Sequence, residues 1–262
     1  MVKNKFVCVA LLMLCLILPT VSLAKGKKHF MVEDSQDGLR LMKWEGKDSI
    51  VDFNSIQELQ NVKVVGERAF EMNKYIKKVI LPDGLLIIEK GAFNTCKNLQ
   101  TVKIPNTVRY IGNNAFNMDK NLELSSLPDS LREIGEWTFW DCNKVSISVI
   151  PEHVTKIGRQ AFSLCLGIKT LVFKNQLEKI NDRTFSVCKN LERIVFPSNL
   201  REIGDFAFAH CINLKGINLP SSLQKIGYRA FGNCESLLFV KYNSAPKIDA
   251  TAFMNCPISN GN

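Results

Sequence analysis

Phenylalanine recurs at a fixed interval through most of this 262-residue chain. Phe70, Phe93, Phe116, Phe139, Phe162, Phe185, Phe208 and Phe231 stand 23 residues apart, and Phe253 follows after 22. The residue before each is Ala or Thr. Three residues after it stands Cys in seven of the nine copies (Cys96, Cys142, Cys165, Cys188, Cys211, Cys234, Cys256), replaced by Asn73 and Asp119 in the others. A unit this short cannot bury its apolar side alone, so equivalent units must stack into one continuous core. The length admits two ordinary domains, but the repeat reduces it to one elongated solenoid.

A representative unit runs from Cys96 through Leu99, Val102, Ile104, Pro105, Val108, Ile111 and Gly112 to Ala115-Phe116. The stretch ending in Val102-x-Ile104 alternates as a short strand does, with both residues inward. Pro105 stops it, as do Pro82, Pro128, Pro151, Pro197 and Pro220 in other copies, because proline cannot donate to a strand ladder. Val108, Ile111, Gly112 and Ala115-Phe116 read as a turn followed by one short helical or 3₁₀ piece. Some copies are worn: Glu89 stands in place of Gly, Lys174 in place of Pro, and Ser125 and Ser148 in place of the inward Val. Irregularity is therefore expected around 122–150.

The pattern C-x-x-L-x-x-V/I-x-L/I-P-x-x-L/V-x-x-I-G-x-x-A-F resembles that of BspA-like leucine-rich-repeat proteins, over about residues 50 to 258. It places proline after the strand, where the common leucine-rich repeat keeps Asn or Cys. The resemblance implies an α/β repeat solenoid: a right-handed leucine-rich-repeat superhelix with a short parallel strand on the concave face of each repeat and turn, 3₁₀ or short-helix pieces on the convex side. It also implies a surface protein of a host-associated microbe, in a family whose members include adhesins for extracellular host proteins. Residues 25–65 resemble a degenerate first repeat extended by a hairpin-like insertion that shields the open end; residues 66–256 form the solenoid proper, and 257–262 its end.

Lys3 and Lys5, the thirteen apolar residues Phe6 to Leu18, Pro19 and Ser22-Leu23-Ala24 read as a secretory signal cleaved after Ala24. Thirteen residues are too few to span a bilayer of about 30 Å. Cleavage leaves no integral membrane segment, lowers the formal charge from +9 to +7, and makes every remaining cysteine a repeat residue.

Chemistry has little to work with. The seven cysteines read as buried thiols filling a core ladder, with disulfides or metal ligation as rivals. Seven is odd, the side chains should project in parallel, and no C-x-x-C pair exists. No disulfide, metal site or cofactor is predicted. His210 precedes Cys211, but its place is held elsewhere by Thr95, Asp141, Leu164 and Asn233, a variable surface position. The repeated Ile-Gly is turn grammar, not a phosphate loop. No catalytic residue is assigned.

Binding must then use positions the repeat leaves free. Outward strand places lie 7, 8 and 10 residues after each Phe, and hold Lys77, Lys78, Lys103, Lys169, Arg193, Lys215 and Lys241 against only Glu123 and Glu192. Such a strip attracts an acidic, or mixed acidic and apolar, protein partner. Val149, Val172 and Val195 are equivalent in three adjacent units, with Ile147 alongside. They are either ordinary strand residues or an apolar contact strip ringed by Lys169, Arg193 and Lys215. Trp137 and Trp140 fall together on the outer edge, as packing or as a contact for a partner or another copy. Nucleic acid is excluded as a partner by the secretory signal and by the lack of aromatic residues interleaved in the strip. Two readings stay open: a secreted or surface recognition module, and a self-associating envelope or periplasmic scaffold subunit.

Overall fold

The computed structural model describes residues 29–174, 176–242, 244 and 246–258; the predicted secretory signal lies outside them. The described chain winds through about nine turns of a β-solenoid, most turns contributing short parallel strands to two ladders. The first ladder, face A, starts with Ile50–Asp52, Lys78–Ile80 and Thr101–Lys103 and resumes at Val149–Ile150, Thr170–Phe173 and Arg193–Val195. It ends with the pair Gly216–Asn218 and Phe239–Lys241. These are the strands read from the alternation, with Val102, Leu171, Ile194 and Ile217 inward and no more than 8% exposed.

The second ladder, face B, is built from two-residue strands such as Tyr110–Ile111, Glu133–Ile134 and Lys156–Ile157, whose isoleucines lie in register. The expectation of a turn at this place is corrected. The glycine that follows lets successive backbones approach: a Cβ on Gly158 would sit 2.4 Å from the Glu136 amide nitrogen of the preceding turn.

The expected short helix before each Cys is also corrected, and with it the α/β assignment. Among the described residues there is no α-helix, and one 3₁₀ turn, Phe53–Ser55. The residues two before and two after the repeat Phe adopt left-handed backbone in the first eight copies, as at Arg68 (φ 56°) and Met72 (φ 58°), and in the last copy only Asn255 does. A right-handed helix cannot run through such an alternation. Instead, successive amides divide their bonds. Arg68, Phe70 and Met72 donate to Lys90, Ala92 and Asn94 of the next repeat, while Ala69, Glu71 and Asn73 close local turns onto Gly66, Arg68 and Phe70. Every N–H in the segment is thereby satisfied without helix.

Two columns of stacked side chains run through the core beside its leucines, valines and isoleucines. The nine repeat phenylalanines lie ring on ring, with centroids 4.8 to 5.5 Å apart and planes within 14° of parallel. Strand spacing of about 4.8 Å imposes that separation. At the N-terminal end, the antiparallel hairpin of Phe30–Ser35 and Gly38–Trp44 joins face B through the pairing of Arg40-Leu41 with Val64-Val65. It extends the stack: Trp44 lies 5.8 Å from Phe70, and Phe30 lies 5.9 Å from Trp44.

Beside the rings run the cysteines. Each thiol donates to the carbonyl of the repeat phenylalanine in the preceding turn, at 2.9 to 3.3 Å. That carbonyl already accepts a local turn amide, as Phe70 does from Asn73, so the thiol fills its second lone pair. All seven cysteines are unbridged, and only Cys256, on the last turn, is partly exposed.

Candidate functional site

On face A the valine row exists as physical neighbours: Val149 pairs with Val172, and Val172 with Val195. Val195 is 56% exposed, while Val149 and Val172 are half-buried. Ile147 does not belong to this surface. It is fully buried, and the reason is Ser148. An inward serine would bury a hydroxyl without a partner, at a cost of about 1–3 kcal/mol. The chain therefore turns its preceding apolar residue inside and Ser148 out. The same shift one turn earlier buries Leu124 and exposes Ser125. Apolar residues at both supposedly outward places were the sequence signal for it.

The cations of the strip are not equivalent. Lys215 reaches Glu192 at 2.9 Å, and that hydrogen bond, helped by Lys169 and Arg193, holds the Glu192 carboxyl below its usual range. Glu123 is likewise taken, by Lys144 at 3.2 Å. Lys169 and Arg193 are exposed and ion-paired to no carboxylate among the described residues. The positive field beside the valines therefore comes mainly from these two.

Three exposed apolar side chains on the last turns escaped the sequence reading: Leu238, Phe239 and Tyr242, between 45 and 54% exposed. Phe239 lies across Gly216 of the neighbouring strand, where a Cβ would come within 2.2 Å of the ring. Lys241 sits 5.7 Å from the same ring. The signal was an aromatic residue opposite a glycine one repeat away.

Trp137 and Trp140 are together as expected, with centroids 5.6 Å apart and planes tilted by 58°. Both are half-buried on the turn side, away from face A. Phe206, the other bulky residue at the Trp137 place, is held by Arg183 at 4.5 Å and Tyr228 at 5.2 Å. The Cys211 thiol points into the core at the Phe185 carbonyl, while the His210 ring lies near the Asn233 amide. Burial raises the thiols of Cys96, Cys142, Cys165, Cys188 and Cys211 above their ordinary range, Cys188 to about 12, so these interior thiols are not nucleophiles. Among the described residues no three His, Cys, Asp or Glu side chains gather as metal ligands.

Six copies of the BspA type leucine-rich repeat region match residues 49–165 and 144–260. The chain belongs to the BspA-type leucine-rich-repeat family. It is similar to the T. pallidum leucine-rich repeat protein, with 27% identity, a TM-score of 0.65, and coverage of 72% of this chain and 89% of that one. A leucine-rich repeat protein from Eubacterium ventriosum shares 18% identity over 89% of this chain and 94% of its own, with a TM-score of 0.48. A leucine-rich cell surface protein from Faecalibacterium prausnitzii shares 17% over 85% and 95%, with a TM-score of 0.41. Among curated proteins there is no match. The BspA-type family and fold make the chain a protein-interaction scaffold, and no enzymatic family is indicated. No helix among the described residues is long and apolar enough to cross a membrane.

Proposed function

We propose that this chain is a secreted or cell-surface recognition module. In this reading the signal is cleaved after Ala24, residues 25–65 cap the solenoid of 66–256, and face A is the concave face of a right-handed superhelix. The observation that carries the proposal is the aligned row Val149, Val172 and Val195 beside the unpaired cations Lys169 and Arg193. An apolar centre rimmed by charge on a rigid scaffold is the anatomy of a protein-binding patch. The partner is an extracellular protein, such as a host matrix protein, presenting carboxylates around an apolar strip. Lys215, tied to Glu192, contributes less than its neighbours.

Immobilised mature protein should capture a partner from extracellular-matrix extract, with capture weakening as salt rises. Capture should be lost in Lys169→Glu/Arg193→Glu and in Val172→Asp, and reduced less by Lys215→Glu. Capture that survives the double reversal assigns recognition to another surface.

The paired indoles favour a second reading, a scaffold subunit that associates with its own copies through Trp137 and Trp140. Sedimentation should then show concentration-dependent assembly that Trp140→Ala removes. A strict monomer at high concentration sinks it.

A further inference from the structure

The two shifted repeats leave a mark on face A that the protein-binding reading touches only at Val149. Between Thr101–Lys103 and Val149–Ile150 one full turn contributes no strand, and the amides of Ser125 and Ser126 bond to no neighbouring turn among the described residues. With two consecutive residues turned outward in each shifted copy, the surface opens into a hollow of about 410 Å³. That volume lies within the ~300–1,000 Å³ range of small-molecule sites. Its floor is apolar, from Leu127, Val149 and Pro151, and its walls are polar.

The walls hold unused hydrogen-bonding capacity. The hydroxyls of Ser125, Ser126 and Ser148 have no partner among the described residues, and each can both donate and accept. Asp129 and Glu152 stand on the rim as acceptors, Lys174 as a donor, and His153 completes the wall. None of these four is ion-paired among the described residues.

The mixture selects its ligand. An anion would meet Asp129 and Glu152, and a cation would meet Lys174, so either sign of charge is opposed. A neutral molecule dense in hydroxyls satisfies all of the walls, donating to the carboxylates and accepting from the ammonium, while its C–H face rests on Val149 and Pro151. We propose that the hollow at the break in face A is a binding site for a neutral glycan, of mono- to disaccharide size, which shares only Val149 with the protein-binding row of Val149, Val172 and Val195.

The test is saturation-transfer NMR and titration calorimetry on the mature chain with lactose, cellobiose, maltose and N,N′-diacetylchitobiose, with 3′-sialyllactose and chitobiosamine as charged counterparts. At least one neutral sugar should bind, and both charged sugars should bind about tenfold or more weaker than it. Ser126→Trp, which fills the hollow, should abolish binding without lowering the melting temperature. Asp129→Asn/Glu152→Gln should weaken it by about tenfold or more, the loss of hydrogen bonds to charged groups. Lys169→Glu/Arg193→Glu should leave sugar binding intact while removing protein capture, which separates this proposal from the preceding one. Silence with all four neutral sugars, equal binding of charged ones, or binding that survives Ser126→Trp would overturn it. So would a Ser126→Trp variant that loses only protein capture, since the hollow would then receive a protein side chain.

Discussion

Asp119 occupies the cysteine place in its repeat, and it should make stability depend on pH. Its side chain is fully buried. One carboxyl oxygen, Oδ1, accepts the Cys96 amide at 2.6 Å, and the other, Oδ2, has no partner. In six of the seven copies that carry cysteine the thiol donates to a phenylalanine carbonyl 26 residues earlier. The corresponding carbonyl here is that of Phe93. A protonated Asp119 can donate there as the thiols do, whereas an ionised one sets negative charge against a carbonyl oxygen in a dry interior. Burial accordingly holds its carboxyl well above the usual range, against the opposing pull of the Cys96 amide.

The sign follows from proton binding. The unfolded chain releases this proton near pH 3.9, while the folded chain retains it to higher pH. The stability it confers is complete below the unfolded pKa and is lost as pH rises through the folded one. Asp119→Asn keeps the Oδ1 acceptor and places a neutral donor where Oδ2 stands. It should leave stability near pH 3 almost unchanged and add about 1–3 kcal/mol at pH 8, the cost of one unsatisfied buried polar group. Asp119→Cys, which restores the ladder, should behave alike. The assay is urea unfolding of wild type and both variants from pH 3 to 8, comparing midpoints at constant slope. A gap between wild type and Asp119→Asn that does not change with pH would refute the reasoning, as would a wild type more stable than both at pH 8.

Three further outcomes test the stacking itself. Phe162→Ala, in the middle of the ring column, should cost about 3–5 kcal/mol in the same unfolding assay; Phe253→Ala should cost clearly less, because that ring is half-buried with one stacked neighbour. Gly158→Ala should cost about 1–3 kcal/mol, since the new Cβ overlaps backbone that cannot swing aside. Maleimide labelling of the folded chain from Lys25 onward at pH 8, read by mass spectrometry, should modify Cys256 alone. Its thiol is partly exposed on the last turn, whereas the other six are buried. The other six should react only after unfolding.

The parts legible in the sequence were those written with one residue type at one interval. Phenylalanine and cysteine each fill a column, and a column of identical side chains at strand spacing has one way to stack. Face A was legible because its strands are long enough to alternate. Face B was not, since a two-residue strand shows no period and exists only through its neighbours 23 residues away. The turns looked helical because apolar residues three apart suit a helix as well. What decided against a helix was backbone sign at places occupied by Arg, Gln, Leu, Val and even Trp137, residues that give no local warning of left-handed conformation.

The site was misjudged where each repeat was weighed by itself. Lys215 reads as a free cation within its own repeat, but its partner Glu192 stands one repeat earlier; Lys225 with Glu202 and Lys156 with Glu133 follow the same spacing. Ile147 looked outward until the serine after it was asked where its hydroxyl would go. In a solenoid the nearest neighbours of a residue lie one period away in either direction. Charge, polarity and aromatic character therefore carry meaning down a column before they carry it along the chain. Face A read in columns divides into a valine row with two cations unopposed among the described residues and, where two adjacent repeats shift together, a hollow lined by serine. The scaffold spends nearly all its fixed residues on stacking, so these departures from the repeat are where specificity can reside.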